Sequence, residues 1–264
     1  MNTKTMKKNW HMRLWLGGIV CAFGMNGLVQ AEPKSGYEYL SKESKEMQDD
    51  DFLNPGMQAV DAGAEAFKKA GANGKSCGSC HGEDGSKLDP KRIAMYPVYD
   101  EKLKKPVTLQ QRIHMESEEQ LGNKPMKYDG KDVLNLEVFV RNLARGEKVN
   151  VQTSGPMQPF YDKGKELYAG ARSGQLDMAC TNCHDVYAGL KIRANTLSQG
   201  QSNGYPAYRL KNGKINGLHS RTNGCYRQFR AQPREVGGED LTVLELYVNA
   251  RSNGLPIETP GIRY

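Results

Sequence analysis

The sequence predicts a mainly α protein built as two tandem halves. Three observations carry this. The pentad Cys-x-x-Cys-His occurs twice, at residues 77–81 and 180–184. Related segments lead into the two copies, Gly63-Ala-Glu-Ala-Phe67 before the first and Gly164-Lys-Glu-Leu-Tyr168 before the second. Each half then ends on a helical apolar pattern, Leu136-Glu-Val-Phe-Val140 and Leu244-Glu-Leu-Tyr-Val248, with Gly146 and Gly254 placed as C-caps.

The first segment, residues 1–31, reads as a cleaved secretory signal. Lys4, Lys7, Lys8 and Arg13 precede an apolar run over residues 14–29, and small residues surround a cleavage point after Ala31. The run is short and glycine-interrupted for a membrane anchor. Val20 is too bulky for the position before a lipidated cysteine, which argues against lipidation of Cys21. Export places the mature chain in the periplasm, with no membrane anchor after cleavage. The signal takes four of the 37 basic residues and none of the 30 acidic ones, so the formal charge of +7 falls to +3. That weak basicity, without a recognition motif, gives no reason to expect a nucleic-acid partner. Residues 32–51 are polar and read as an N-terminal arm packed on the domain.

The pentads are the attachment signature of c-type haem. Two thiols form thioethers with the haem vinyl groups, and the adjacent histidine becomes the proximal iron ligand. Cys77 and Cys80 with His81, and Cys180 and Cys183 with His184, thus predict two covalently bound haems c. A thioredoxin-like site needs no following histidine, and a four-thiolate zinc site would leave both histidines unexplained. Each half becomes a cytochrome c-like domain wrapped around one haem: residues 32–150 and residues 151–264. Residues 149–159, rich in Gly, Pro, Ser and Gln, read as the linker.

Each iron then has a second axial position to fill. In the first half His114 and Met115 are the candidates, histidine giving a low potential and methionine a higher one; the other reading is that both are ordinary helix residues and the ligand lies elsewhere. In the second half the candidate is Cys225, the one cysteine of the mature chain outside the pentads. An odd thiol in an oxidising compartment calls for a role. Arg221, Arg227 and Arg230 surround it, with His219 just before. Cations stabilise a thiolate, and guanidinium groups bind oxyanions in a fork. Cysteine, guanidinium and redox metal together point to sulfur-oxyanion chemistry.

These residues resemble a known family, SoxA, the catalytic dihaem cytochrome subunit of the SoxAX complex. The likeness runs over nearly all of the mature chain: Met47-Gln-Asp-Asp-Asp51 with Asn54-Pro-Gly-Met57, Gly74-Lys-Ser-Cys-Gly-Ser-Cys-His81, Leu109-Gln-Gln-Arg-Ile113, Arg221-x-x-x-Cys225 and Arg230-Ala-Gln-Pro233. The resemblance implies an L-cysteine S-thiosulfotransferase that joins thiosulfate to a cysteine of the carrier SoxYZ and passes two electrons to a cytochrome c acceptor, with a SoxX-type monohaem subunit as partner. It implies that Cys225 is both distal ligand and reactive sulfur, often as a persulfide, and that Arg221 binds the substrate. Arg230, and less directly Arg227, extend the anion site; His219 is a proton-shuttle candidate by position. One departure stands out. Many two-haem members carry a distal cysteine just after Gln-Arg-Ile, whereas here the chain reads Arg112-Ile113-His114-Met115-Glu116. Two other readings are a dihaem thiosulfate dehydrogenase forming tetrathionate and a pure electron-transfer cytochrome.

Overall fold

Helix α2 (Met57–Lys68) turns Val60, Gly63 and Phe67 to one face, the spacing that a 3.6-residue repeat demands. That face packs on α6 (Lys131–Asn142), whose Val133, Val138 and Phe139 are buried. The second half repeats the arrangement: α7 (Gln158–Lys165) packs on α9 (Glu239–Ala250). Both crossings are closed by a glycine. A Cβ at Gly63 would lie 2.1 Å from the backbone oxygen of Asn135 and 2.6 Å from Phe139 Cβ; one at Gly164 would lie 2.1 Å from Val243 O and 2.9 Å from Tyr247 Cβ. Either helix pair can approach so closely only without a side chain there.

The computed structural model describes residue 1 and residues 32–170, 172–193 and 195–264; the signal expected over residues 2–31 lies outside the described residues. Among the described residues no helix is long and apolar enough to cross a membrane. Between the helices of the first pair lie α3 (Cys77–His81), α4 (Pro90–Ile93), the hairpin β1 (Val98–Asp100) with β2 (Lys105–Val107), and α5 (Leu109–Glu119). Between those of the second pair lie a wide helical turn at Asn182–Val186, the short hairpin β3 (Lys191–Ile192) with β4 (Asn195–Thr196), strands β5 (Ala207–Arg209) and β6 (Lys214–Asn216), and α8 (Leu218–Gln228). Strand β5 pairs antiparallel with β6 and parallel with β7 (Gly261–Arg263). The fold is the mainly helical one the sequence predicts.

The repeat runs deeper than its helices. Tyr96-Pro97 precedes β1 and Tyr205-Pro206 precedes β5. From each tyrosine the same spacing leads to an arginine on α5 or α8, Arg112 and Arg221, and four residues later to Glu116 and Cys225. The halves are nevertheless one compact unit, Pro33–Tyr264. The larger core cluster takes Val60, Phe67, Val138 and Phe139 from the first half and Leu246 and Ile257 from the second. The segment expected as a linker is fastened rather than free: Val149 N–H donates to Leu255 O, Gly254 N–H to Val149 O, and Gly146 N–H to Ile257 O, each at 2.9 Å. The N-terminal arm docks as expected. Its helix α1 (Lys42–Asp49) buries Gln48, whose Oε1 accepts from Ile262 N–H at 2.8 Å.

A small cavity lies between equivalent parts of the halves, lined by Tyr96, Glu137 and Arg141 from one and Tyr205, Glu245 and Asn249 from the other. Burial and the neighbouring Glu245 push the Glu137 carboxyl up to about 8. Gln110 Nε2 donates to Glu137 Oε2 at 2.6 Å. The folded state therefore keeps a proton that the unfolded chain, near 4.5 for this group, has already lost. Stability falls as pH rises through the window from about 4.5 to about 8 and flattens above it. Thermal unfolding across that window should show this decline, and Glu137→Gln should flatten it.

Candidate active site

The centre of the site is Cys225, on the third turn of α8. Asp129 fixes where that helix begins. Its Oδ2 accepts from Ser220 N–H at 2.8 Å and from Ser220 Oγ at 2.5 Å, which caps the first turn from the other half. From this start, Arg221 and Cys225 fall one turn apart on the same face, and Arg221 Nη1 donates to Cys225 Sγ at 3.2 Å. Burial opposes a charge on the thiol. Arg221, then His184, then Arg209 outweigh that opposition and pull the thiol down to about 7. Arg221 is itself held in the charged form, by Cys225 first and by Tyr205 as well.

His184 is the first partner of Cys225 across the site. Its Nδ1 lies 2.8 Å from the carbonyl of Ser198. With Nδ1 turned to that carbonyl, the other ring nitrogen is on the side of Cys225 and is the one that a metal would take. Gly200 makes the approach possible: at φ +81° it sits in the left-handed region, and a Cβ there would press to 3.0 Å from the imidazole Cγ. Arg251 lies over the Tyr168 ring at 4.7 Å and donates to Asp185 Oδ1 at 2.6 Å. Tyr168 Oη and Arg251 Nε are buried beside them without hydrogen-bond partners.

The first pentad forms α3. Ser76 and Ser79 cap it reciprocally, Ser79 N–H donating to Ser76 Oγ at 3.0 Å and Ser76 N–H to Ser79 Oγ at 3.1 Å. His81 Nε2 faces Glu116 Oε2 at 3.4 Å. No described cysteine is in a disulfide, so Cys77, Cys80, Cys180 and Cys183 keep the thiols that attachment requires. The donor sets fit a haem. Each thiol pair lies on one helical turn with its histidine, and in the second half buried polar atoms stand unpartnered beside that histidine.

The structure gathers some of the expected residues and disperses others. Cys225, Arg221 and His184 come together. Arg227 and Arg230 do not join them. Both are exposed, two residues on from Cys225 and just beyond the end of α8. Arg230 instead lines an open recess with Gln175, Arg234 and Asp240. His219 is buried in the first turn of α8. Its Nδ1 accepts from Gly237 N–H at 3.0 Å, its Nε2 lies 3.2 Å from Glu245, and its ring stacks on Tyr128 at 5.0 Å. Six residues along α8 from Cys225, it is turned to another face of the helix and packs in the core. His114 stacks on the other side of Tyr128 at 5.5 Å. The side chain of α5 that meets His81 is Glu116, two residues and about 200° around the helix from His114. Sequence reasoning missed Arg209 on β5, whose Nε and Nη2 donate to the backbone oxygen of Tyr264 at 3.1 and 3.0 Å while its charge acts on Cys225. It also missed Tyr205 and Glu116. Extending the repeat through the two Tyr-Pro pairs would have found all three.

Two pentads, each holding two thiols and a histidine on a helical turn, define a c-type cytochrome, and the comparisons agree. The family described as SoxA/TsdA, cytochrome c domain, matches residues 62–149. The chain is 39% identical to the L-cysteine S-thiosulfotransferase subunit SoxA of Pseudaminobacter salicylatoxidans over 88% of this chain and 81% of that one. It is 37% identical to the same subunit of Paracoccus pantotrophus over 87% and 79%. The crystal structure of SoxXA from P. pantotrophus superposes with a TM-score of 0.82 at 35% identity, covering 88% of this chain and 87% of that one. The chain belongs to the SoxA family.

Gly200→Ala should strain the loop at its left-handed φ and crowd the His184 ring. The expected outcome is reduced haem attachment at Cys180 and Cys183 with attachment at Cys77 and Cys80 retained, read by mass spectrometry of haem-bearing peptides.

Proposed function

We propose that the chain is the L-cysteine S-thiosulfotransferase subunit of a SoxAX-type complex, with two covalently bound haems and its chemistry at Cys225. One observation carries this reading: a half-buried thiol lies 3.2 Å from the Arg221 guanidinium, with Arg209 as a second cation and the proximal histidine of the second pentad facing it. Family membership supports the activity, because the relatives covering most of the chain carry that name. The cytochrome domain shared by SoxA and TsdA does not by itself separate a transferase from a thiosulfate dehydrogenase; the chain-wide similarity does.

The residues divide the work. Cys77 and Cys80 hold the first haem and Cys180 and Cys183 the second, with His81 and His184 as proximal ligands. A haem so held supplies a sink that takes electrons one at a time. Arg221 and Arg209 neutralise the thiosulfate dianion and fix it beside Cys225, so that a carrier thiol approaching from outside meets a bound and oriented sulfur. The net reaction balances. A carrier thiol and thiosulfate lose two electrons and one proton, and an S–S bond forms between the carrier sulfur and the terminal sulfur of thiosulfate, giving a cysteine S-thiosulfonate. The S–H bond breaks, the proton leaves to solvent, and the electrons pass to a cytochrome c acceptor. A SoxX-type subunit completes the complex and SoxYZ supplies the thiol. The signal segment makes the setting periplasmic.

Steady-state assays with thiosulfate, the SoxX-type partner and SoxYZ test this. Cys225→Ser should abolish conjugation while both haems stay attached. Arg221→Ala removes a charge-assisted contact of about 1.5–3 kcal/mol and should lower kcat/KM roughly 10- to 100-fold. Tetrathionate formed at full rate without SoxYZ would contradict the assignment.

A further inference from the structure

The second position on the first iron is the least settled point of the sequence, because the segment lacks a cysteine. In the fold, Glu116 of α5 is the side chain that faces His81. Superposing the internal repeat by its own landmarks pairs Tyr96 with Tyr205, Arg112 with Arg221, and Glu116 with Cys225. The landmarks match in structure as well as spacing: each Tyr-Pro leads into a strand, β1 or β5, and each arginine and its partner lie one turn apart on the helix that follows. Glu116 thus occupies the register position that Cys225 holds. It also makes the corresponding contact, since His81 Nε2 and Glu116 Oε2 face each other at 3.4 Å, as His184 and Cys225 do in the second half.

The surroundings are exchanged along with the ligand atom. Arg112 Nη2 donates to Asp100 Oδ2 at 2.6 Å. Asp100 is the repeat partner of Arg209. In the second half two cations converge on a sulfur. In the first, the corresponding arginine is tied to a carboxylate and a second carboxylate takes the place of the sulfur. The first half is therefore built to repel a dianion where the second attracts one.

We propose that Glu116 supplies the distal oxygen ligand of the first haem, opposite His81, in the place that Cys225 takes on the second. The inference rests on the two-haem reading above. A carboxylate is a hard anionic donor. It favours ferric iron and holds the potential below that of a histidine–methionine haem. As a weaker-field ligand than thiolate, it leaves ferric iron high-spin. The two haems then differ in spin state as well as potential, and the first is not a second copy of the catalytic site.

The test uses the full haem-loaded chain, with iron per chain measured first and electron paramagnetic resonance, magnetic circular dichroism and redox titration following. The parent should carry two irons, one with a low-spin thiolate signature and one high-spin. Glu116→Cys should convert the high-spin signal to a second low-spin thiolate one. Glu116→Gln should raise the potential of that haem and alter its spectrum, while His114→Ala and Met115→Leu leave its spectrum in place. Two irons with a first-haem spectrum that ignores both Glu116 variants, or that follows His114 or Met115, would overturn the proposal alone. One iron per chain would overturn the two-haem reading and the proposal with it.

Discussion

The contact on which the rest depends is the helix crossing at Gly63 and its copy at Gly164. Each glycine lets an opening helix touch the backbone of a closing helix, at a place where a Cβ would meet a carbonyl oxygen at 2.1 Å. Close packing of this kind tolerates one register. Once it is set, the pentad follows the opening helix, and the Tyr-Pro strand and short helix precede the closing one, in both halves. The two halves then share a core and a fastened connecting segment, so neither site can shift without straining the other.

A frame used twice allows its side chains to diverge. Strands β1 and β5 and helices α5 and α8 present equivalent positions, filled by Asp100 and Arg209, by Arg112 and Arg221, and by Glu116 and Cys225. Two exchanges change the sign of the local field. Cys225 gains a pair of guanidiniums that pull its thiol down to about 7 against burial, whereas Arg112 is held by a carboxylate. Coulomb attraction in a partly desolvated site would favour an oxyanion on the Cys225 side. Both irons would keep a histidine on their other side.

Much of this was legible in the sequence. The pentads gave the haem chemistry because thioether attachment fixes residue types and spacing. The apolar patterns at 136–140 and 244–248 gave the closing helices, and the odd Cys225 with Arg221 marked a pair that the fold brings together. What escaped did so for physical reasons. Glu116 was overlooked because the landmarks that single it out as the side chain of α5 meeting His81 lie upstream, at Tyr96-Pro97, whereas His114 and Met115 are eligible by ligand chemistry alone. Arg209 sits on a different element from Cys225, beyond the reach of local pattern. Arg230 lines an open recess and His219 is buried on another face of α8, an arrangement that sequence proximity does not report. The division at residue 150 follows composition, which does not report that Val149 and Val151 are buried against the second half.

Intact-mass and peptide mass spectrometry of the mature, full-length protein tests the central claim most directly. The expected result is two haems per chain, thioether-linked to Cys77 with Cys80 and to Cys180 with Cys183, and a Cys225 that carries no haem. A single haem, or a haem bonded through Cys225, would contradict it.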